Sequence, residues 1–429
     1  MVSKKHRLFI QKLRRIFSTA IILAALSLFS SCNEDEPSRI VIWTSCAEFA
    51  QYTELYNFTH SASNAVIVYK ENPAQELPPA KDELPPDIVI GSWLRTDKTQ
   101  KQFKSLDYLF DRQTISSSMF YEQLLESGKI RKNQYLLPVS FNLPAVIFAE
   151  SNKDYISENY TMTLDQIKAA GLSYNEKNKK GNYSRIGFLP SANDGFLYLT
   201  TKLYGVDFRE EKDQIVWSDL RLRNVVSYDR DWIANTNGSA QEEKDFAYKY
   251  LFMPDYRQVT SGRTLLSYTT SNKMFGYMKG QELNIDYRWI TGDGFIPIED
   301  SLLMTGIYSK ARNEQGATDF LTWFFNSENQ KDILERKIQM DLNNEMFGIA
   351  DGFSSLRDVT EHVLPIYYNQ LLTNLPPSQL LKVPQKLPAR WDSYKSVVVE
   401  PYLNASITTD NKISISDYEA EWRKKVFDN

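Results

Sequence analysis

The chain has 429 residues, 42% of them hydrophobic and 24% charged, with a formal charge of −4 at pH 7. An acidic balance argues against nucleic acid as a partner, because that role needs a basic face. Two cysteines give no disulfide framework, and three histidines (His6, His60, His362) without an HExxH, CxxC or aspartate-rich loop give neither a metal site nor a cofactor site.

The amino end reads as a secretory signal. Lys4, Lys5, Arg7, Lys12, Arg14 and Arg15 precede an uncharged run from Ile16 to Phe29, shorter than the ~20 apolar residues of a spanning helix. The run stops in LFSSCNEDEP, with small Ser30 and Ser31 before Cys32. That stop resembles the lipobox of bacterial lipoproteins in a relaxed form, since Phe29 and Ser31 stand where the strictest version has Leu and Gly or Ala. The resemblance implies that residues 1–31 are removed, that Cys32 becomes the acylated first residue, and that 32–38 is a tether to a lipid bilayer. An ordinary signal peptide cleaved nearby, or an uncleaved anchor, is the alternative. Six basic residues and no acidic one leave with the signal, so the formal charge of the remaining chain moves from −4 to −10. Its length suits two or three domains. Cys46, without a partner, is expected to be a buried, inert thiol.

Ile40–Trp43 is an apolar run of the buried-strand type. Ser45-x-x-Glu48 has capping-box spacing ahead of Phe49, Tyr52, Leu55 and Tyr56 on one helical face. Asn64–Tyr69 and Pro86–Gly91 are further strands. Strands alternating with helical stretches predict a parallel sheet with right-handed crossovers, and ligands gather beyond the carboxyl ends of such strands. Trp43, Thr44 and Ser45, and Ser92 and Trp93, therefore fall at one rim.

Tyr135–Glu150 reads as an extended crossing strand, twice interrupted by proline, which puts Ser140 and Asn142 between two units. Thr163-x-x-Gln166 and Ser239-x-x-Glu242 have capping-box spacing. After RIGFLP, Asn193 and Asp194 begin a helix, with Asp194 expected as its cap. Gly262–Asn272 is a strand followed by a loop. Tyr287–Asp300 is a strand, a glycine turn and a second extended crossing, flanked by Asp293, Glu299 and Asp300, which are expected to be solvated. Trp323, beside Phe320 and Phe324, and Trp422, four from Tyr418 and Val426, occupy core-facing helical positions.

This order of landmarks resembles the sugar-type extracellular solute-binding proteins of ABC importers, the family that includes maltose-binding protein. The resemblance is carried by IVIWTSCAEFAQY, PDIVIGSWL, LLPVSFNLPAVIF, TMTLDQI, SGRTLLSYTTSN, the long stretch GDGFIPIEDSLLMTGIYSKARNEQGATDFLTWFFNSENQKDIL, and KLPARWDSYKSVVVEPYLNASI. TLDQI lacks the tryptophan of the family's helix start, and Glu345–Pro377 has no counterpart. The resemblance implies an α/β, two-lobed periplasmic-binding-protein-like fold with multiple crossovers and a ligand cleft between the lobes. One lobe would be 39–141 plus 297–334, the other 142–296 plus 335–429. It also implies a monomeric, non-enzymatic binder with a small solute, a mono- or oligosaccharide, as ligand and ABC permease subunits as partners. Its place would be extracytoplasmic, on a bacterial membrane.

Sugars present C–H faces beside hydroxyls, so aromatic platforms and planar polar groups are the candidates. They are Trp43, Trp93 and Trp391 for stacking, with Trp391 placed by the resemblance, and Ser45, Ser92, Ser140, Asn142, Asn193, Asp194 and Asp293 for hydroxyls. Tyr268 and Thr269 match the family's ligand-facing loop. Two rival readings stay open: a surface glycan-binding or structural lipoprotein without a permease, and a glycoside hydrolase using a pair such as Asp293 and Glu299.

Overall fold

The computed structural model describes residues 38–212, 214–278, 283–340, 346–408 and 413–427; the signal, Cys32 and the rest of the tether up to Pro37 lie outside them. Among the described residues ten strands form two main sheets: β1 (Ser38–Thr44), β2 (Ser63–Tyr69), β3 (Ile88–Gly91), β4 (Leu137–Phe141), β5 (Pro144–Ala149), β6 (Thr161–Thr163), β7 (Ser267–Thr270), β8 (Ile285–Thr291), β9 (Leu303–Ile307) and β10 (Phe353–Ser354). The first sheet has the order β10-β4-β9-β3-β1-β2 and the second β7-β5-β8-β6.

Ile40, Val41, Ile42 and Trp43 are all buried, as a strand covered on both faces requires. Both β2 and β3 pair with β1 in parallel, as the alternation of strands and helices predicts. Asp87 fixes the entry to β3: its two oxygens accept the Val41 and Asn313 amide N–H groups at 2.8 Å each. The other half of the sheet departs from the all-parallel expectation, because β9 runs antiparallel to β3 and β4. The reason is topological. β9 follows the return from the second sheet, so it enters at the rim where β1, β3 and β4 end.

Asn142 and Leu143 carry the chain from β4 straight into β5. The return starts at a two-residue turn, where Gly292 and Phe295 exchange backbone hydrogen bonds of 3.1 and 3.0 Å. Asp293 (φ 50°) and Gly294 (φ 77°) are both left-handed there, the geometry of the primed hairpin turns. A third link pairs Leu381–Lys382 in parallel with Ile296–Pro297. Beyond it the helix Glu400–Thr408 packs on the helices Asp194–Leu203 and Asp219–Asn237 of the second lobe. β10, by contrast, pairs with β4 in the first sheet, although it lies in the stretch 335–429 that the sequence reading gives to the second lobe. Its pairing puts at least this part of the chain with the first lobe.

Trp323 is buried against Tyr56 and Phe320. Trp422 stands edge-on to Tyr394, with its indole N–H donating to Ser393 Oγ at 2.8 Å. Both are core side chains.

Candidate functional site

At the second crossing, the carboxylate expected to be solvated is buried. Asp300 is 8% exposed and gathers three donors. Lys202 Nζ donates to Oδ1 at 2.8 Å, while the Tyr198 hydroxyl and the Trp391 indole N–H donate to Oδ2 at 2.5 and 2.8 Å. Tyr198 and Lys202 are four apart on the helix Asp194–Leu203 and so share a face. Burial alone would raise the Asp300 pKa, but Lys202, Lys395 and the hydrogen bonds outweigh it and hold the carboxyl below its usual range. Lys395 sits over the Tyr198 ring at 4.3 Å.

Beside this cluster the lobes touch. The Trp93 indole N–H donates to Asp392 Oδ2 at 3.0 Å, and within the first lobe Ser92 Oγ donates to the Ser301 carbonyl at 3.0 Å. Arg95 donates to the carbonyls of Pro384 and Gln385 at 2.7 and 3.0 Å, and burial brings its pKa down to about 10. Trp93 holds a φ of 64°. A bulky residue in the left-handed region is strained, and such strain is a pointer to function.

The first crossing is a polar knot. Asn142 Nδ2 donates to the Asp351 carbonyl at 2.8 Å, its Oδ1 accepts from Ser271 Oγ at 2.6 Å, and its carbonyl accepts the Glu299 amide at 2.9 Å. Ser140 Oγ donates to the Ala350 carbonyl at 3.0 Å. Asn272 Nδ2 reaches Asp351 Oδ2 at 2.8 Å, and the Asp351 amide donates to Glu48 Oε2 at 2.6 Å. Glu48 also forms a buried ion pair with Lys337. Burial first, and then the Glu48 charge, push the half-buried Cys46 thiol up to about 12, which keeps it protonated and unreactive.

On the second-lobe wall the cap of Asp194–Leu203 is Asn193, whose side chain accepts the Phe196 amide at 3.1 Å. Asp194, expected as the cap, is instead the first helical residue and accepts from Asn404 Nδ2 at 2.9 Å. Tyr268 lies edge-on to Phe196, 5.8 Å between ring centres. A Cβ on Gly195 would come within 3.3 Å of the Tyr268 ring, so glycine there lets the helix start approach the tyrosine. Thr269 is buried beside it.

Four expected site residues are placed differently. Trp43 is fully buried, with Lys70 covering its ring at 4.5 Å, so no face is open for stacking. Trp391 is fully buried too, its ring stacked on Tyr394 at 5.6 Å and flanked by Phe208 and Tyr198. Ser45 does not cap the following helix, which begins at Phe49 after Glu48; the Glu48 carboxylate, needed for the box, goes to Lys337 and Asp351. Asp293 tips the return turn and lines a different cavity from the one that Asp300 lines. Ser92, Trp93 and the Asp300 cluster do come together, as do Ser140 with Asn142 and Asn193 with Tyr268. The sequence reading missed Lys202, Lys395, Arg95 and Asp392. The Tyr198-x-x-x-Lys202 spacing was the one local signal for any of them.

No protein-family model matches the sequence, and no curated protein matches it either. Solved structures do match in shape. A protein called CpMnBP1 with mannotriose bound has a TM-score of 0.60 at 13% identity, covering 90% of this chain and 100% of that one. The cyclic alpha-maltosyl-1,6-maltose binding protein from Arthrobacter globiformis gives 0.58 at 15% identity, over 91% and 98%. The fold is that of the two-lobed periplasmic binding proteins. An ABC substrate-binding protein from Listeria monocytogenes in complex with cycloalternan matches this fold equally, with a TM-score of 0.58 at 12% identity over 90% and 98%. In a two-lobed fold of this kind the crossings form the floor between the lobes. The Asp300 cluster, the Asn142 knot and the Trp93–Asp392 contact all belong to that floor or its edges.

Proposed function

We propose that the chain is a substrate-binding lipoprotein that captures a small saccharide between its lobes and delivers it to an ABC permease, held to a bacterial membrane through acylated Cys32 on the extracytoplasmic side. The observation that carries the reading is the meeting of polar and aromatic side chains from both lobes at the crossings, with Trp93 on one lobe hydrogen-bonded to Asp392 on the other at 3.0 Å. Ser92, Trp93, Asn142, Asn193, Asp194, Tyr268 and Thr269 are the binding residues of this proposal, with Lys395 and Asp392 added to them. A ligand seated there touches both lobes only when they are closed, so binding is a shift of population toward the closed form. Three further points support the reading: of the proteins similar in shape, one has mannotriose bound and another is called a cyclic alpha-maltosyl-1,6-maltose binding protein, no described helix is long and apolar enough to cross a membrane, and Asp293 at a turn tip weakens the hydrolase alternative.

The test is a thermal-shift screen of mono- and oligosaccharides followed by small-angle scattering. A ligand that binds only the folded state raises stability by about 2.7 kcal/mol at a hundredfold excess over its dissociation constant. It should also make the protein contract. Stabilisation by no saccharide, or sustained turnover of one, would overturn the reading.

A further inference from the structure

The saccharide reading gives no role to the edge of the first sheet that lies farthest from the crossings. β1 and β3 end at the crossings, so their first residues lie at the other end of the lobe. β9, which runs against them, brings its last residue there, Ile307 beside Ile88. Hydrogen bonds tie the segments of this edge together. The Ser38 amide donates to the Ala62 carbonyl at 3.1 Å, just past the helix Phe49–Thr59. Asn313 Nδ2 donates to Ser38 Oγ and to the Arg39 carbonyl at 2.6 and 3.0 Å. The Tyr308 amide donates to the Asp87 carbonyl at 2.9 Å, and the Ser309 amide to the Gln102 carbonyl at 2.7 Å.

Cations collect on these segments. Arg39, Lys101, Lys310 and Arg312 are all exposed. The carboxylates of the same segments are engaged elsewhere: Asp87 is buried on two backbone amides, and Glu314 pairs with Lys104. Among the described residues, the ion pairs around this sheet use other cations. Phe58, in the last turn of the helix Phe49–Thr59, is 84% exposed beside them. A basic surface with an exposed aromatic ring suits the headgroup boundary of an anionic bilayer.

The tether leaves from this edge. Cys32 stands six residues before Ser38, a reach of at most about 20 Å when fully extended. A compact chain of this length has a radius of gyration of about 21 Å, so the reach is shorter than the molecule is wide. An acylated Cys32 therefore holds this edge close to the headgroups, while the second lobe, beyond the crossings, is able to turn away. Tethering makes the contact intramolecular, so a weak attraction is enough to occupy it. Each exposed Lys or Arg close to an anionic surface favours the contact by about fivefold. Glu34, Asp35 and Glu36 of the tether are the rival occupants of the same cations.

We propose that this edge, with Phe58, Arg39, Lys101, Lys310 and Arg312, rests on the anionic phospholipid bilayer that holds Cys32, so that the first lobe stands on the membrane and the second is free to close. The inference rests on the lipoprotein reading above. The experiment uses the full acylated protein in phosphatidylethanolamine vesicles with and without phosphatidylglycerol. A fluorophore is attached at Ala62→Cys, exposed on the edge, or at Tyr248→Cys, 77% exposed in the second lobe. Nitroxide-bearing headgroups quench it. Cys46, with its thiol pushed up to about 12, stays unlabelled.

Quenching at position 62 should be about threefold stronger or more with phosphatidylglycerol than without it, and should stay low at position 248. Lys101→Glu, Lys310→Glu and Arg312→Glu together should remove that gain, with fatty-acid labelling and melting temperature as in the wild type. Equal quenching at the two positions would overturn the surface. Quenching at position 62 that ignores lipid charge would overturn it as well, and would give the cations to the acidic tether. A wild type that takes up no labelled fatty acid is a different result, which removes the anchor and the surface with it.

Discussion

The indole N–H of Trp391 ends on Asp300 Oδ2 at 2.8 Å, on a carboxylate that Tyr198 and Lys202 also hold. This contact makes Trp391 a structural support of the crossing. Its ring is wholly covered, so Trp391→Ala should cost about 3–5 kcal/mol of stability. Trp391→Phe keeps most of the packing but removes one donor from a buried charge, and should cost about 1–3 kcal/mol. Urea unfolding measures both. An alanine variant as stable as the wild type, with weakened binding alone, would return Trp391 to the role of an open stacking face.

The Glu48–Lys337 ion pair gives a second stability prediction. Both side chains are almost wholly buried, at 2–3% exposure, and Lys337 also donates to the Gly348 carbonyl at 2.9 Å. Removing one partner strands a buried charge, at a cost of about 3–5 kcal/mol. Lys337→Met should therefore destabilise strongly, and adding Glu48→Gln should recover part of the loss. Additive losses in the double variant would mean that the two charges do not depend on each other.

These two contacts show where the sequence stops being informative. β1 and β3 were legible because a strand buried on both faces is a continuous apolar run, and the crossing through Asn142 was legible as extended backbone, but its prolines argue against packed central strands, whereas β4 and β5 each pair on both sides within their sheets. What covers a side chain is a different matter. Nothing near Trp43 announces Lys70 over its ring, and nothing near Glu48 announces a partner 289 residues away. Lys202 and Asp300 are 98 residues apart and meet only because the return crossing passes the helix Asp194–Leu203. Local spacing therefore suggested a capping box at Ser45 and a solvated Asp300, and long-range partners decided otherwise.

The Trp93–Asp392 bond links the lobes and should bias their opening. A hydrogen bond of this kind contributes about 1 kcal/mol, a factor of about five in an open–closed equilibrium. Asp392→Ala should expand the ligand-free protein in small-angle scattering and weaken ligand binding by about that factor. Its melting should change little, because Asp392 lies largely at the surface. An unchanged scattering profile together with unchanged affinity would reduce the contact to a surface ornament of the hinge.

Membrane attachment is tested at Cys32, which lies outside the described residues. A basic segment, an uncharged run and small residues converge on it. One acyl chain binds a bilayer marginally and two or more hold it stably. Cys32→Ser should therefore leave a protein in the soluble fraction that takes up no labelled fatty acid. Membrane partitioning and labelling that survive the substitution would count against the anchor.

Stability should fall as pH rises from mildly acidic to mildly alkaline, because of two carboxyls buried in the second lobe. Asp229 is pushed up to about 8, chiefly by burial, against a hydrogen bond with Thr200 that lowers it. Glu243 is pushed up to about 7, again by burial, against bonds from Ser191 and Asn237. The geometry at Asp229 fits a protonated acid. Thr200 Oγ1 lies 2.9 Å from Asp229 Oδ2 and 2.7 Å from the Leu197 carbonyl oxygen, and one hydroxyl hydrogen serves only one of them. A proton on Asp229 donated to Thr200 lets Thr200 donate to Leu197. Between the unfolded values near pH 4 and the folded values of about 7 and 8, the native state binds more protons than the unfolded chain. Each group then lowers stability by about 1.4 kcal/mol per pH unit as pH rises, and contributes no slope above its folded value. Asp300 acts in the opposite sense. Its depressed pKa gives stability that is present above about pH 4 and lost as pH falls through the folded value. Urea unfolding from pH 3 to pH 9 should therefore show maximal stability near pH 4–5. Asp229→Asn, which mimics the protonated form, should flatten the decline and unfold at higher urea than the wild type at pH 8. A wild type with level stability from pH 5 to pH 8, or a variant with the same slope, would mean that Asp229 is not protonated in the folded protein.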